Sequence, residues 1–148
     1  MIQIKRDNIL NSNEKYIIHQ CNCITNNALG LAETIFTKYT YADVYNNRKK
    51  YSIPGTICIM GNGDNLRYII NAFAQFSPGK TSLKESKENR LEWFKECLDK
   101  IAKIVDLESV AFPYKIGCGY GGGDWNDYLK LIEQFSEKCL IKVVIYQL

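Results

Sequence analysis

Apolar residues in this chain recur at two spacings, and the spacing assigns the elements. Met1 to Lys5 alternates weakly and predicts a first strand, followed by Arg6-Asp7-Asn8-Ile9-Leu10 and a polar turn at Asn11-Ser12-Asn13. Tyr16-Ile17-Ile18-His19 is a short apolar run of the buried-strand type that passes directly into polar Gln20-Cys21-Asn22. Ala28 opens a helix that extends through Ile35 and Phe36 to about Tyr39, and Thr40 to Ser52 is a tyrosine- and asparagine-rich connector. Thr56 to Met60 and Leu66 to Phe73 read as strands, and the turn chemistry of Gly61-Asn62-Gly63-Asp64 joins them as a hairpin. Ser82-Leu83-Lys84-Glu85 has capping-box spacing ahead of Leu91, Phe94, Leu98, Ile101 and Val105, which recur at helical intervals. Ser109 to Pro113 predicts a strand, Trp125 to Lys138 a helix with Leu129, Ile132 and Phe135 on one face, and Ile141 to Tyr146 a closing strand. The order β-β-α-β-β-α-β-α-β predicts an α/β fold in which a mixed β-sheet is sandwiched between helices.

The stretch Ile116-Gly117-Cys118-Gly119-Tyr120-Gly121-Gly122-Gly123-Asp124 falls between the penultimate strand and the last helix. Five of its residues from 117 to 123 are glycine. Backbone without Cβ atoms can lie against a ligand with its N–H groups turned inward, an arrangement suited to an oxyanion. A helix starting at Asp124 would add the partial positive charge of its first turn. The alternative is a tight turn or a mobile loop with no ligand. Gly-x-Gly-x-x-Gly can be traced from Gly117, but not in a first strand-to-helix unit with an acidic residue downstream. A phosphate site is suggested, and a Rossmann or P-loop site is not.

Composition narrows this picture. A chain of 148 residues with 46% apolar content supports one core, so a single domain spanning 1–148 is expected. No apolar run is long enough to span a membrane, and the N-terminus lacks the apolar stretch of a signal peptide, which leads us to expect a cytosolic or nuclear protein. Six cysteines in that setting imply free thiols, with Cys58, Cys97 and Cys139 on core faces. His19-Gln20-Cys21-Asn22-Cys23 has no second Cys/His pair at zinc spacing, so no metal and no cofactor are called for. A net charge of +3, with basic and acidic residues intermixed, implies no nucleic-acid surface, and Arg48, Lys49 and Lys50 read as a solvated face.

Several segments together resemble a macrodomain, the module that binds ADP-ribose. His19-Gln20-Cys21-Asn22-Cys23 followed by Ala28-Leu29-Gly30-Leu31-Ala32 resembles the family's strand ending in asparagine and its small-residue loop entering a helix. Ile116-Gly117-Cys118-Gly119 resembles its second, phosphate-wrapping loop, in the branch of terminal ADP-ribose protein glycohydrolases and ADP-ribose 1''-phosphate phosphatases. Asp7-Asn8-Ile9-Leu10 resembles the Gly-Asp-Ile/Leu element after the first strand. The resemblance covers nearly the whole chain and implies a three-layer α/β/α fold. It also implies the site. Asn22, beside Cys21, would hydrogen-bond the distal ribose by both donating and accepting. Ala28, Leu29, Gly30 and Leu31 would form one wall of a diphosphate cleft. Ile116, Gly117, Cys118, Gly119, Tyr120 and Gly121 would form the other, with Tyr120 over the distal ribose. Either Asp7 or Asn8, next to Ile9, would meet the adenine amino group.

The chain departs from that branch where its chemistry lies. The family's strand-end lysine falls near Ala72-Phe73, and its aspartate after Gly-Cys-Gly falls on Gly121. For hydrolysis at the distal ribose of an ADP-ribosyl ester, an O-acyl-ADP-ribose or ADP-ribose 1''-phosphate, Asn22 is a candidate catalytic residue and His19 or Asp124 a candidate base. His19, the sole histidine, has a satisfied core role as its alternative, Asp124 an N-cap role, and Cys118 reads as a small loop-filling residue rather than a nucleophile. Three functions follow: a hydrolase of ADP-ribose derivatives, a reader of ADP-ribosylated protein without turnover, or a redox or metal-sensing cysteine protein. The partner expected is ADP-ribose, one of its derivatives or an ADP-ribosylated protein, bound by a monomer.

Overall fold

The structure is a computed structural model, and it describes residues 2–148. Six strands form one sheet: β1 (Ile2–Arg6), β2 (Tyr16–Gln20), β3 (Ile57–Met60), β4 (Tyr68–Ala72), β5 (Ser109–Pro113) and β6 (Lys142–Gln147). Three helices complete the fold: α1 (Gly30–Lys38), α2 (Lys87–Ile101) and α3 (Trp125–Cys139). The strand order is β1-β6-β5-β2-β4-β3, parallel throughout except for the antiparallel pairing of β3 with β4. The expected mixed sheet and hairpin are therefore present.

Alternation along each strand sorts side chains onto two faces. Tyr16, Ile18, Ile70, Val110, Phe112, Val143 and Ile145 pack with Phe94, Leu98 and Ile101 of α2 and Ile132 and Phe135 of α3. Ile17, Ile69, Ala111 and Val144 pack on the opposite side with Ile35 and Phe36 of α1. Both faces are apolar because both are covered, and the three layers follow.

Three boundaries correct the sequence reading. The helix expected from Ala28 starts at Gly30, after Leu29 in extended conformation. The capping box is formed by Ser86 and Asn89, not by Ser82 and Glu85: Ser86 Oγ accepts from the Asn89 amide at 3.0 Å and Asn89 Oδ1 from the Ser86 amide at 3.0 Å. The helix ends at Ile101, leaving Val105 exposed.

Candidate functional site

In the sheet, β2 and β5 are neighbours, yet the chain leaves β2 toward β3 and β4 and leaves β5 toward β6. Such a divergence opens a crevice beyond the carboxyl ends of the two strands. A cavity of about 690 Å³ lies there, within the usual range for a small-molecule site. Its walls include Asn22 after β2, the start of α1, and residues 113–121 from the last residue of β5 onward.

One rim is the entry to α1. Leu29 stands at the N-cap position and makes no side-chain cap bond, so the first-turn amides keep their donors. Gly30 adopts φ +61°, and a Cβ built there would lie 3.7 Å from Cε2 of Tyr120 on the other rim. The two loops therefore face each other across the crevice.

The other rim is the glycine loop. It folds back on itself through Cys118 N to Lys115 O at 2.9 Å, Gly122 N to Gly119 O at 3.2 Å and Gly123 N to Gly117 O at 3.0 Å. Gly117 has φ +76°, and a Cβ there would fall 2.5 Å from Cε2 of Tyr128 and 2.9 Å from Oε1 of Gln20, so no larger residue fits. The successive amides of Gly119, Tyr120 and Gly121 bond nothing among the described residues. Two sets of unspent N–H donors thus converge on one space, the arrangement that suits a diphosphate.

Asn22 is held on every side but one. Its backbone N–H donates to Tyr45 Oη at 2.7 Å, and its carbonyl accepts from Arg48 Nη2 at 3.3 Å. Its Oδ1 accepts from the amides of Ile24 and Thr25 at 3.0 Å each and from Thr25 Oγ1 at 3.1 Å. Only Nδ2 stays unbonded among the described residues, so Asn22 can offer a ligand a donor. The expectation that its side chain both donates and accepts is corrected by these three bonds.

The structure brings Asn22, His19, Leu29, Gly30, Leu31, Ile116, Gly117, Cys118, Gly119, Tyr120 and Gly121 to the cavity wall. It does not bring Asp7, Asn8, Ile9, Cys21, Ala28 or Asp124 there. Asp7 Oδ1 accepts from Asn8 N at 2.7 Å and Asn11 Nδ2 at 3.0 Å, while Asn8 Oδ1 accepts from Leu10 N at 2.9 Å. Ile9 and Cys21 are buried in the core on the α1 face, and Ala28 packs against it. Asp124 caps α3, its carboxylate accepting from Asn126 N at 3.0 Å. The helix end that faces the cavity is that of α1, not the α3 terminus the sequence suggested.

His19 is a core residue. Asn71 Nδ2 donates to Ala42 O at 3.0 Å, which leaves Asn71 Oδ1 to accept from His19 Nε2 at 2.5 Å. Burial pushes its pKa down to about 4, so the ring is neutral at pH 7 with its Nε2 proton committed. Burial, reinforced by Asp124, pushes the Cys118 thiol up to about 11, and the nearby Lys115 only partly opposes this. Cys118 is therefore no thiolate at neutral pH. With His19 neutral, Lys115 is the one charged side chain among the wall residues, and no carboxylate is among them.

Behind the wall lies a tie that the sequence reading missed. Arg90 of α2 is 1% exposed. Its Nε donates to Glu85 Oε2 at 2.7 Å and its Nη1 to the carbonyls of Gly79 at 2.6 Å and Gly121 at 2.9 Å. Glu85 in turn accepts from the amides of Phe76 and Ser77, both at 3.0 Å. Burial alone would raise the Glu85 carboxyl, but the Ser77 amide and Arg90 hold it below the usual range. This pair fastens the glycine loop to residues 76–80. Gln20, Gln75, Tyr45, Tyr114 and Lys115 also line the cavity without having been singled out. Only Gln20 had a signal, as the first polar residue after an apolar strand.

A parallel-centred three-layer unit with this crevice is the architecture of macrodomains, and the chain has the macrodomain fold. Across its whole length it is similar to a Bacteroides thetaiotaomicron protein of unknown function, with a TM-score of 0.81, 23% identity and 98% of that chain covered. It is likewise similar to the macrodomain of Mycobacterium tuberculosis DarG, with a TM-score of 0.75 and 20% identity over 100% of this chain and 98% of that one. Thermosipho africanus DarTG, solved in complex with ADP-ribose, matches 98% of this chain and 41% of its own, with a TM-score of 0.68 and 18% identity. Neither a scan of protein-family models nor a search of curated proteins returns a match.

Proposed function

We propose that the cavity binds ADP-ribose and that a derivative substituted on the distal ribose is hydrolysed there. The observation that carries the binding is the convergence of unspent amides from Gly119, Tyr120 and Gly121 with the uncapped first turn of α1. With a diphosphate between these rims, Asn22 Nδ2 on the same cavity wall is the donor offered to the distal ribose. The ADP-ribose complex of the structurally similar DarTG and the ADP complex of a Trypanosoma brucei macrodomain support the same ligand class. The loop amides are also donors for a developing oxyanion. With no carboxylate on the wall and His19 bonded to Asn71, the substrate's own phosphate is the group left to orient a water.

A second reading, a binder without turnover, is favoured by that same want of a side-chain base. Incubation with ADP-ribose 1''-phosphate and with glutamate-ADP-ribosylated protein, followed by product analysis, decides between the two. Release of phosphate or of unmodified protein is the result expected for a hydrolase. Binding of ADP-ribose with neither product formed establishes the binder.

A further inference from the structure

We infer that Tyr45 and Arg48 are positioning residues that act on the ligand through Asn22 and so set the preference for a ligand bearing a distal ribose. This rests on the proposal that the cavity binds ADP-ribose. Asn22 lies beyond the end of β2, where no sheet pairing orients it, yet five groups fix its pose, three of them within its own turn. The two that come from elsewhere in the chain are Tyr45 Oη, accepting from Asn22 N at 2.7 Å, and Arg48 Nη2, donating to Asn22 O at 3.3 Å.

The segment that carries these two groups is itself built to present them. Asp43 Oδ1 accepts from the amides of Tyr45 at 2.9 Å and Asn46 at 3.1 Å, and Arg48 N donates to Tyr45 O at 3.2 Å. Asn26 Nδ2 reaches over to the carbonyls of Tyr45 at 3.2 Å and Arg48 at 3.3 Å, joining this turn to the one that Asn22 starts. The Arg48 guanidinium lies 4.7 Å from the centre of the Tyr45 ring, so the two side chains brace each other.

The state of Arg48 sets it apart from an ordinary structural arginine. Its Nε and Nη1 are buried without any hydrogen-bond partner, and no carboxylate pairs with it among the described residues. Burying unpartnered donors of a cation is unfavourable, so stability alone does not account for its place. What the residue does achieve is to hold the Asn22 carbonyl, and so the backbone that carries a side chain whose Oδ1 is already bonded and whose Nδ2 is the one free donor. Pre-orienting that donor matters only to a ligand with an oxygen in its reach. ADP-ribose has a second ribose to supply one, and ADP has none.

The test is isothermal titration of wild type, Tyr45→Phe, Arg48→Met and Asn22→Ala with ADP-ribose and with ADP. Tyr45→Phe keeps the ring, which packs edge-on to Phe36 at 5.3 Å, and removes only the hydroxyl. Both positioning variants are expected to bind ADP-ribose about tenfold more weakly, the scale of one lost buried hydrogen bond, and Arg48→Met, whose side chain is not on the cavity wall, is expected to keep ADP affinity within about twofold of wild type. Retained ADP binding shows that Arg48→Met is folded, and an unchanged melting temperature without ligand shows it for Tyr45→Phe. In an Asn22→Ala background either substitution is expected to add nothing further. Equal weakening for both ligands, unchanged ADP-ribose affinity, or full additivity with Asn22→Ala overturns the inference while leaving the ligand assignment intact. Wild-type protein that binds neither nucleotide overturns the ligand assignment and this inference together.

Discussion

Burial of His19 between Phe36, whose ring centre is 5.2 Å away, and Asn71 makes it the group through which pH acts on stability. A proton added on Nδ1 finds only the Cys21 sulfur, at 3.9 Å. The folded-state pKa, about 4, lies below the ordinary value of 6.5, so between these pH values the unfolded chain binds the proton and the native state does not. Stability is therefore complete above pH 6.5 and is lost as pH falls, by on the order of 3 kcal/mol over the whole window. Glu14 and Glu85, held below the ordinary carboxyl value of 4.5, contribute only beneath it. Urea titrations at pH 7 and 5 should show the loss in wild type, and His19→Gln should flatten it. An unchanged slope in that variant contradicts the assignment. Two glycines of the same loop separate packing from ligand contact. Gly117→Ala meets Tyr128 and a positive φ, and is expected to destabilise by about 1 to 3 kcal/mol in chemical denaturation. Gly119 has open space where its Cβ would stand, so Gly119→Glu should keep the melting temperature and abolish nucleotide binding. Normal binding by Gly119→Glu places the phosphates elsewhere.

At the scale of elements, the end of α1 and the Arg90 tie divide the work of building the cleft. Leu29 is 75% exposed at an uncapped N-cap position, so a polar residue is tolerated there. Leu29→Asp should cap α1 and raise stability by about 1 kcal/mol, yet weaken ADP-ribose by occupying the same amides with a carboxylate. Tighter binding by that variant contradicts the anion role of this helix end. Arg90→Met leaves the buried Glu85 carboxylate without its cation and frees the Gly121 carbonyl. A loss of about 3 to 5 kcal/mol in denaturant unfolding is expected, together with weaker ligand binding. Much of this layer was readable from spacing: the strands, the hairpin and three helices follow from periodicity and turn residues. Tertiary partners made the difference where it was not. Ser82 and Glu85 have the spacing of a capping box, but the Glu85 carboxylate turns to Phe76, Ser77 and Arg90, and Ser86 with Asn89 caps instead. Arg90 itself sits in a helix as any solvated arginine does, and nothing in its neighbours announces burial.

For the molecule as a whole, the parallel sheet places the ends of β2 and β5 side by side and so joins two loops that are far apart in the chain. The resemblance at Asn22, Leu29-Gly30-Leu31 and the glycine loop pointed to both rims. It could not show which helix end faces the cavity, because an N-cap aspartate that closes its own helix and one beside an open terminus look alike until the side chain is placed. Asp124 closes its own helix, and α1 is left open. Nor could spacing reveal that Asn22 has only a donor to give, since that depends on its bonds to Ile24 and Thr25. The most direct test of the two-rimmed diphosphate cleft is the melting temperature of the intact chain with ADP-ribose and with AMP. At a hundredfold excess over Kd, ADP-ribose should stabilise by about 3 kcal/mol, roughly 5 to 10 °C, and AMP by far less. No shift with ADP-ribose at millimolar concentration, or an equal shift with AMP, contradicts the assignment.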